Sequence, residues 1–196
     1  MEKNQKIVYI IHGWSDSQQG SWFPWLKTEL ETRGFKVYVP SMPDADEPKI
    51  EVWVGHLAKV SKVVDENTYF VGHSIGCQTI LRYLEKLVEK EKIGGAIFVA
   101  GWFTKLTNLE TEEEEKIAEP WVETPINFAR IKRITKNFVA IFSDNDPFVP
   151  LNKNTEVFRD KLGAKIIIEH GKGHMIKEDG ITELSVVLRE LLKMAK

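Results

Sequence analysis

Six short runs of apolar, strand-forming residues recur along the chain, with longer helical patterns between them. They are Lys6–Ile11, Lys36–Val39, Thr68–Val71, Gly95–Ala100, Asn137–Phe142 and Ala164–Ile168. Several are apolar on consecutive residues. A strand with one wet face alternates, so an unbroken apolar run predicts a strand covered on both faces. The intervening segments carry apolar residues at helical spacing. Trp53, Leu57, Val60 and Val64 form one such stripe, with Pro48 suited to a first turn. Thr79, Tyr83 and Leu87 form another, and Ile181, Leu184, Leu188 and Leu191 a third. Gly34 and Gly163 stand where helices can stop before the next strand. Regular alternation of strand and helix predicts an α/β fold: a three-layer α/β/α sandwich around a mostly parallel sheet of about six strands. At 196 residues the chain suits a single domain spanning 1–196. About 70% of its surface can be buried at that length, enough to cover a sheet on both sides.

In such sheets reactive groups gather at the carboxyl ends of strands. The run Thr68–Val71 leads directly into Gly72-His73-Ser74-Ile75-Gly76, and a helical pattern follows. This is the strand–turn–helix setting that a G-x-S-x-G motif requires, with serine exposed on a sharp turn. Glycines two before and two after the serine remove Cβ atoms that would collide with nearby backbone. The helix after Ser74 points its positive end toward an oxyanion formed during attack. His73 fills the variable position and suits orienting or packing better than proton transfer, because neighbouring residues on so tight a turn point apart.

A serine at its free pKa needs a base, and the base needs an orienting carboxylate. After an elbow of this type the expected chain order is acid, then histidine. The run Asn137–Phe142 is followed by Ser143-Asp144-Asn145-Asp146-Pro147-Phe148-Val149-Pro150, where two aspartates compete. Asp146 is favoured because Pro147 biases it toward extended backbone, while Asp144 suits capping the turn through its own backbone. The last run is followed by Glu169-His170-Gly171-Lys172-Gly173-His174-Met175. His174 is favoured as base because its glycine-rich loop gives reach, whereas His170 sits close to the strand end. One oxyanion donor is expected from the backbone N–H of Ile75. The other is expected from Trp14, in the loop His12-Gly13-Trp14-Ser15-Asp16 after the first strand, where Gly13 lets the backbone approach the substrate.

With these residues in place the chain resembles the small, cap-less α/β-hydrolases that include the retinoblastoma-binding serine hydrolases and their bacterial relatives. The resemblance rests on Ile11-His12-Gly13-Trp14, Gly72-His73-Ser74-Ile75-Gly76, the Ser143–Pro150 turn and Gly171-Lys172-Gly173-His174, and covers nearly the whole chain. It implies that Ser74, Asp146 and His174 act as nucleophile, acid and base on esters or related acyl compounds. Some members also act by binding proteins, which leaves an idle binding module as the rival reading. The Leu-x-Cys-x-Glu pattern for the retinoblastoma protein is missing, since the one cysteine lies in Gly76-Cys77-Gln78. Acyltransferase, thioesterase and peptidase chemistry use the same parts.

Residues 101–136 are too few for a cap domain but can hold two short helices as a lid-like segment. There Trp102 and Phe103 follow a strand end, and either line an acyl pocket, with His12 also near the site, or pack onto the core. Trp22, Phe23 and Trp25 are expected to begin a helix on the sheet. The run Glu110–Glu115 reads as a solvated helix start. A formal charge of −2 gives no field to draw in nucleic acid or an anionic membrane. One cysteine excludes an intramolecular disulfide, and no Cys/His spacing suggests a metal. No cofactor is expected, and the partner is a small-molecule acyl substrate. The apolar run after Met1–Lys6 is too short for a signal core or membrane span, so the expected location is cytoplasmic.

Overall fold

The computed structural model describes residues 5–196; Met1 to Asn4, part of the N-terminal stretch read above, lie outside the described residues. Six strands form one sheet: β1 (Ile7–Ile11), β2 (Lys36–Tyr38), β3 (Thr68–His73), β4 (Gly95–Val99), β5 (Phe138–Ser143) and β6 (Lys165–Glu169). Every pairing is parallel and the order is β2-β1-β3-β4-β5-β6. The helices are α1 (Phe23–Glu31), α2 (Ile50–Ser61), α3 (Ile75–Lys86), α4 (Glu112–Glu123), α5 (Phe128–Ile134), α6 (Leu151–Glu156), which continues as a π-helical stretch Val157–Leu162, and α7 (Ser185–Met194). None of the described helices is long and apolar enough to cross a membrane.

Alternate strand residues enter different cores, which is why the runs are apolar throughout. Tyr9, Ile11, Phe70 and Phe98 face a core shared with α2, α3 and the π-helical stretch, through Trp53, Leu57, Ile80 and Phe158. Val8, Ile10, Val71 and Val99 face a second core with α1 and α7, through Phe23, Leu26, Val187 and Leu191. Trp22 and Phe23 are fully buried at the start of α1, as expected. The carboxylate run starts α4, where Thr111 and Glu114 form a capping box that satisfies first-turn amides.

Three details differ from the periodicity. Val64 lies beyond the end of α2, and Ile181 and Leu184 precede α7, yet all three are buried. Burial of an apolar residue needs only a path back to the core, so helical spacing overshoots the helix. β3 also runs through Gly72 and His73, which pair with Phe98 and Val99. The sharp turn is therefore the end of the strand itself.

The strand order reverses direction at β1: the chain moves from β1 outward to β2, then returns to β3 on the other side. The connections leaving the carboxyl ends of β1 and β3 diverge, and a crevice opens between them. Ile11 of β1 pairs with Gly72 of β3, so the His12–Asp16 loop and Ser74 emerge side by side.

Candidate active site

Ser74 sits at φ 51° and ψ −121°, a backbone conformation that side chains with a Cβ rarely adopt. Its N–H donates to the Val99 carbonyl at 2.9 Å, and its own carbonyl accepts from Cys77 at 3.0 Å. The flanking glycines make the turn feasible. A Cβ at Gly76 would lie 2.4 Å from the Ile11 carbonyl oxygen and 2.6 Å from that of His12; one at Gly72 would lie 2.8 Å from the Cys77 nitrogen. These obstacles are backbone atoms that cannot swing away. Gly76→Ala is therefore expected to destabilise the fold by about 1–3 kcal/mol, typical of overpacking, and to displace Ser74. Urea unfolding checks it, and a midpoint equal to the parent's would contradict the crowding.

The turn after β5 places two aspartates differently. Asp146 is almost completely buried at its side chain, and its oxygens have divided duties. Oδ1 accepts the N–H groups of Phe148 at 2.9 Å and Val149 at 3.1 Å. Oδ2 lies 2.8 Å from Nδ1 of His174. A carboxylate accepts, so His174 carries its proton on Nδ1, which leaves Nε2 bare. The Phe148 ring stands edge-on to the imidazole at 5.3 Å. Asp144 instead accepts from the exposed His170 at 2.6 Å and from the Gly171 N–H at 2.9 Å. The Asp144 carboxylate thus reaches across to the next loop. The His170 hydrogen bond lowers the Asp144 pKa, and Asp144 raises that of His170.

Ser74 and His174 line one cleft of about 380 Å³, together with Gly13 and Trp14. Its walls differ in character, as the strand order dictates. From the β1 side come Ser15, Asp16 and Ser21; from beyond β4 and β5 come Leu106, Leu109 and Phe148, with Glu114 beside them, and Ile176, Lys177 and Glu178 follow His174. Burial raises the Asp16 pKa, against hydrogen bonds from the Ser17 N–H and the Ser21 hydroxyl that lower it.

Three expected pocket residues do not line this cleft. His12 is fully buried: its Nδ1–H donates to the Gly13 carbonyl at 2.8 Å and its Nε2 accepts from the Met42 N–H at 3.0 Å. It braces the Gly13 loop from beneath. Trp102 turns into the core, where Gln78 holds its carbonyl at 2.9 Å. Phe103 packs on Phe158 and Phe128, with ring centroids 4.8 and 5.4 Å away. The apolar wall comes a few residues later, from Leu106 and Leu109. The Trp14 indole donates to the Asp46 carbonyl at 3.0 Å and Ser15 N–H to that of Ala45 at 2.9 Å, which ties this loop down beside Ser74.

A parallel sheet with a strand-to-helix serine turn at its switch point defines the α/β-hydrolase class. The serine hydrolase family model matches residues 8–193, and the chain belongs to that family. It is 34% identical over 182 residues to the YdeN protein of Bacillus subtilis (strain 168), covering 93% of this chain and 92% of that one. Serine hydrolase RBBP9 of Rattus norvegicus is 25% identical over 190 residues, 96% of each. The crystal structure of the B. subtilis ydeN gene product superposes with a TM-score of 0.89 at 30% identity, covering 97% of this chain and 98% of the other. Est1E from Butyrivibrio proteoclasticus, at 16% identity and a TM-score of 0.68 over 97% of this chain and 90% of its own, shares the fold. The protein is a small hydrolase related to RBBP9.

Proposed function

We propose that this hydrolase cleaves carboxylic esters through a covalent acyl-enzyme on Ser74, with His174 as base and Asp146 as orienting acid. The observation that carries the reading is the 2.8 Å contact between Asp146 Oδ2 and His174 Nδ1, with His174 and Ser74 lining one cleft. Ser74 Oγ attacks the ester carbonyl carbon and its proton passes to His174 Nε2. The oxyanion is held by the backbone N–H groups of Trp14 and Ile75. Ile75 opens α3, and a first-turn amide has no acceptor within its own helix. The bond to the alcohol oxygen then breaks, and His174 returns the proton to it. Water, activated by His174, attacks the acyl carbon, and Ser74 leaves with the proton. Every step uses side chains, backbone and water.

The two-sided cleft supports an ester with one apolar arm along Leu106, Leu109 and Phe148 and a more polar arm toward Ser15 and Ser21. The test is labelling by a fluorophosphonate probe. One equivalent is expected on Ser74 by peptide mapping, with labelling of His174→Ala slowed by at least about 10²-fold, the range of general-base contributions. Labelling elsewhere, or none, would sink the reading. A panel of matched esters, thioesters and amides then tests the ester preference, and faster turnover of the amide would overturn it.

A further inference from the structure

The loop that carries His174 has little regular structure of its own. Three of its residues have positive φ: Gly171 at 64°, Gly173 at 54° and Met175 at 58°. It is held from outside, and its two edges are held differently. On its N–H edge, Gly171, Lys172 and Gly173 donate to Asp144 Oδ1, Ser143 Oγ and Asn145 Oδ1, each at 2.9 Å. All three acceptors lie at the end of β5 or in the turn after it that carries Asp146. On its carbonyl edge, His174 accepts from His73 Nε2 at 2.9 Å and Met175 accepts from the Trp22 indole at 3.1 Å.

His73 is the unusual member of this set. It is the residue immediately before Ser74, and its ring is buried against Trp22, Phe23 and His174, with centroids 6.2, 6.0 and 5.0 Å away. A carbonyl can only accept, so the ring proton lies on Nε2. Nδ1 is then a bare acceptor, and it is buried with no hydrogen-bond partner among the described residues. Burial, reinforced by the neighbouring His174, pushes the pKa of His73 down to about 3, so the ring is neutral and has one proton to give. If this position needed only an aromatic plug, phenylalanine would fill it without burying an unsatisfied nitrogen. The imidazole is explained by the bond its Nε2–H makes to the His174 carbonyl.

We propose that His73 is a positioning residue for His174: its Nε2–H, donated to the His174 carbonyl, sets where the base stands relative to Ser74. The proposal rests on the reading of Ser74 and His174 as nucleophile and base. One peptide bond joins Ser74 to His73, and one hydrogen bond joins His73 to His174. Nucleophile and base are thereby referenced to each other directly, independently of the Asp146 contact that sets the ring's tautomer. Small misplacements of reacting groups have large kinetic effects.

The donor is separable from the ring by substitution. In His73→Gln the amide nitrogen reaches the place of Nε2; in His73→Asn it reaches only that of Nδ1; His73→Phe keeps the plug and removes the donor. With an ester substrate, kcat is expected to fall at least about 10-fold in the Phe and Asn variants, to stay within about 3-fold of the parent in Gln, and to leave KM within about 2-fold in all three. Parental kcat in Phe and Asn would overturn the proposal. So would a Gln variant as impaired as Phe, which would make the ring a structural plug. The ¹⁵N shifts of His73 in the unaltered protein give a test that needs neither folding variants nor activity. A protonated Nε2 with hydrogen-bond character supports the proposal, and a proton on Nδ1 refutes it. Failure of Ser74 to take the fluorophosphonate probe would instead strike the underlying reading, and the His73 shifts would still report whether the clamp exists.

Discussion

Alanine at Ser74 is expected to lower kcat toward an ester by about 10⁴- to 10⁶-fold, the range seen when a serine hydrolase loses its nucleophile. The effect is large because Ser74 Oγ is the protein atom that bonds to the acyl carbon in the proposed scheme. What survives would be water attack on an ester still bound beside the Trp14 and Ile75 amides, which is why the loss is finite. KM is expected to change little, since the hydroxyl contributes a single small contact to a cleft of about 380 Å³. The fold should not suffer. Ser74 is held in its strained conformation by backbone bonds to Val99 and Cys77. Alanine meets the same steric demand at φ 51° as serine does, so the strain is unchanged. Steady-state kinetics with a melting curve on the same sample check both halves. Retention of more than about a hundredth of the activity, with the melting temperature intact, would mean that another group carries the attack.

The parts of this site written locally in the chain are those fixed by backbone sterics. The turn at Ser74 needs glycine at 72 and 76 because Cβ atoms there would meet the backbone of Cys77 and Ile11. That demand leaves a visible mark in the sequence. The strands are equally visible, since Val8 and Tyr9 are both buried, each in a different core. The choice of Asp146 over Asp144 could be approached through Pro147 and loop reach. Its physical basis, however, is the contact between Asp146 and His174, 28 residues apart.

What stayed hidden is which way a side chain turns after leaving a strand. Trp102 follows β4 as closely as a pocket residue would. Gln78, 24 residues earlier, holds the Trp102 carbonyl within the core side of the segment. Leu106 and Leu109 then form the wall, while Trp102 and Phe103 take the other course open to them and pack onto the core. His12 is similar: its role follows from the Met42 N–H, 30 residues away. A loop's chemistry is local, but its facing is decided by partners that no short motif contains. The clamp on the 171–175 loop lies between these cases. Ser143, Asp144 and Asn145 are adjacent to Asp146 in sequence, yet their acceptor role appears only once β5 and β6 are paired.

Asp146→Asn is expected to lower kcat by about 10³- to 10⁴-fold with the fold preserved, by a route this geometry makes specific. Oδ1 of Asp146 accepts from both Phe148 and Val149, and those amides have to keep an oxygen in front of them. In the asparagine variant the single carbonyl oxygen is therefore committed to the two backbone donors, and the NH₂ group takes the place of Oδ2. It then faces His174 Nδ1 with a proton of its own. Two donors cannot share one hydrogen bond, so Nδ1 becomes the acceptor and the ring proton moves to Nε2. An imidazole with its proton on Nε2 cannot accept one from Ser74, and the negative charge that stabilised the imidazolium is gone as well. Asp146→Ala separates this from stability, because it leaves two amides facing a cavity and should also lower the unfolding free energy by about 1–3 kcal/mol. Asp144→Asn is the matched control: its side chain is more exposed, its amide oxygen can keep the Gly171 N–H, and with only the solvent-facing His170 contact altered kcat should stay within about 2-fold. Comparable losses in the two asparagine variants would remove the distinction between the aspartates. Loss confined to Asp146, together with a His174 ring shown by ¹⁵N shifts to have moved its proton to Nε2, would assign the tautomer-setting role to that carboxylate.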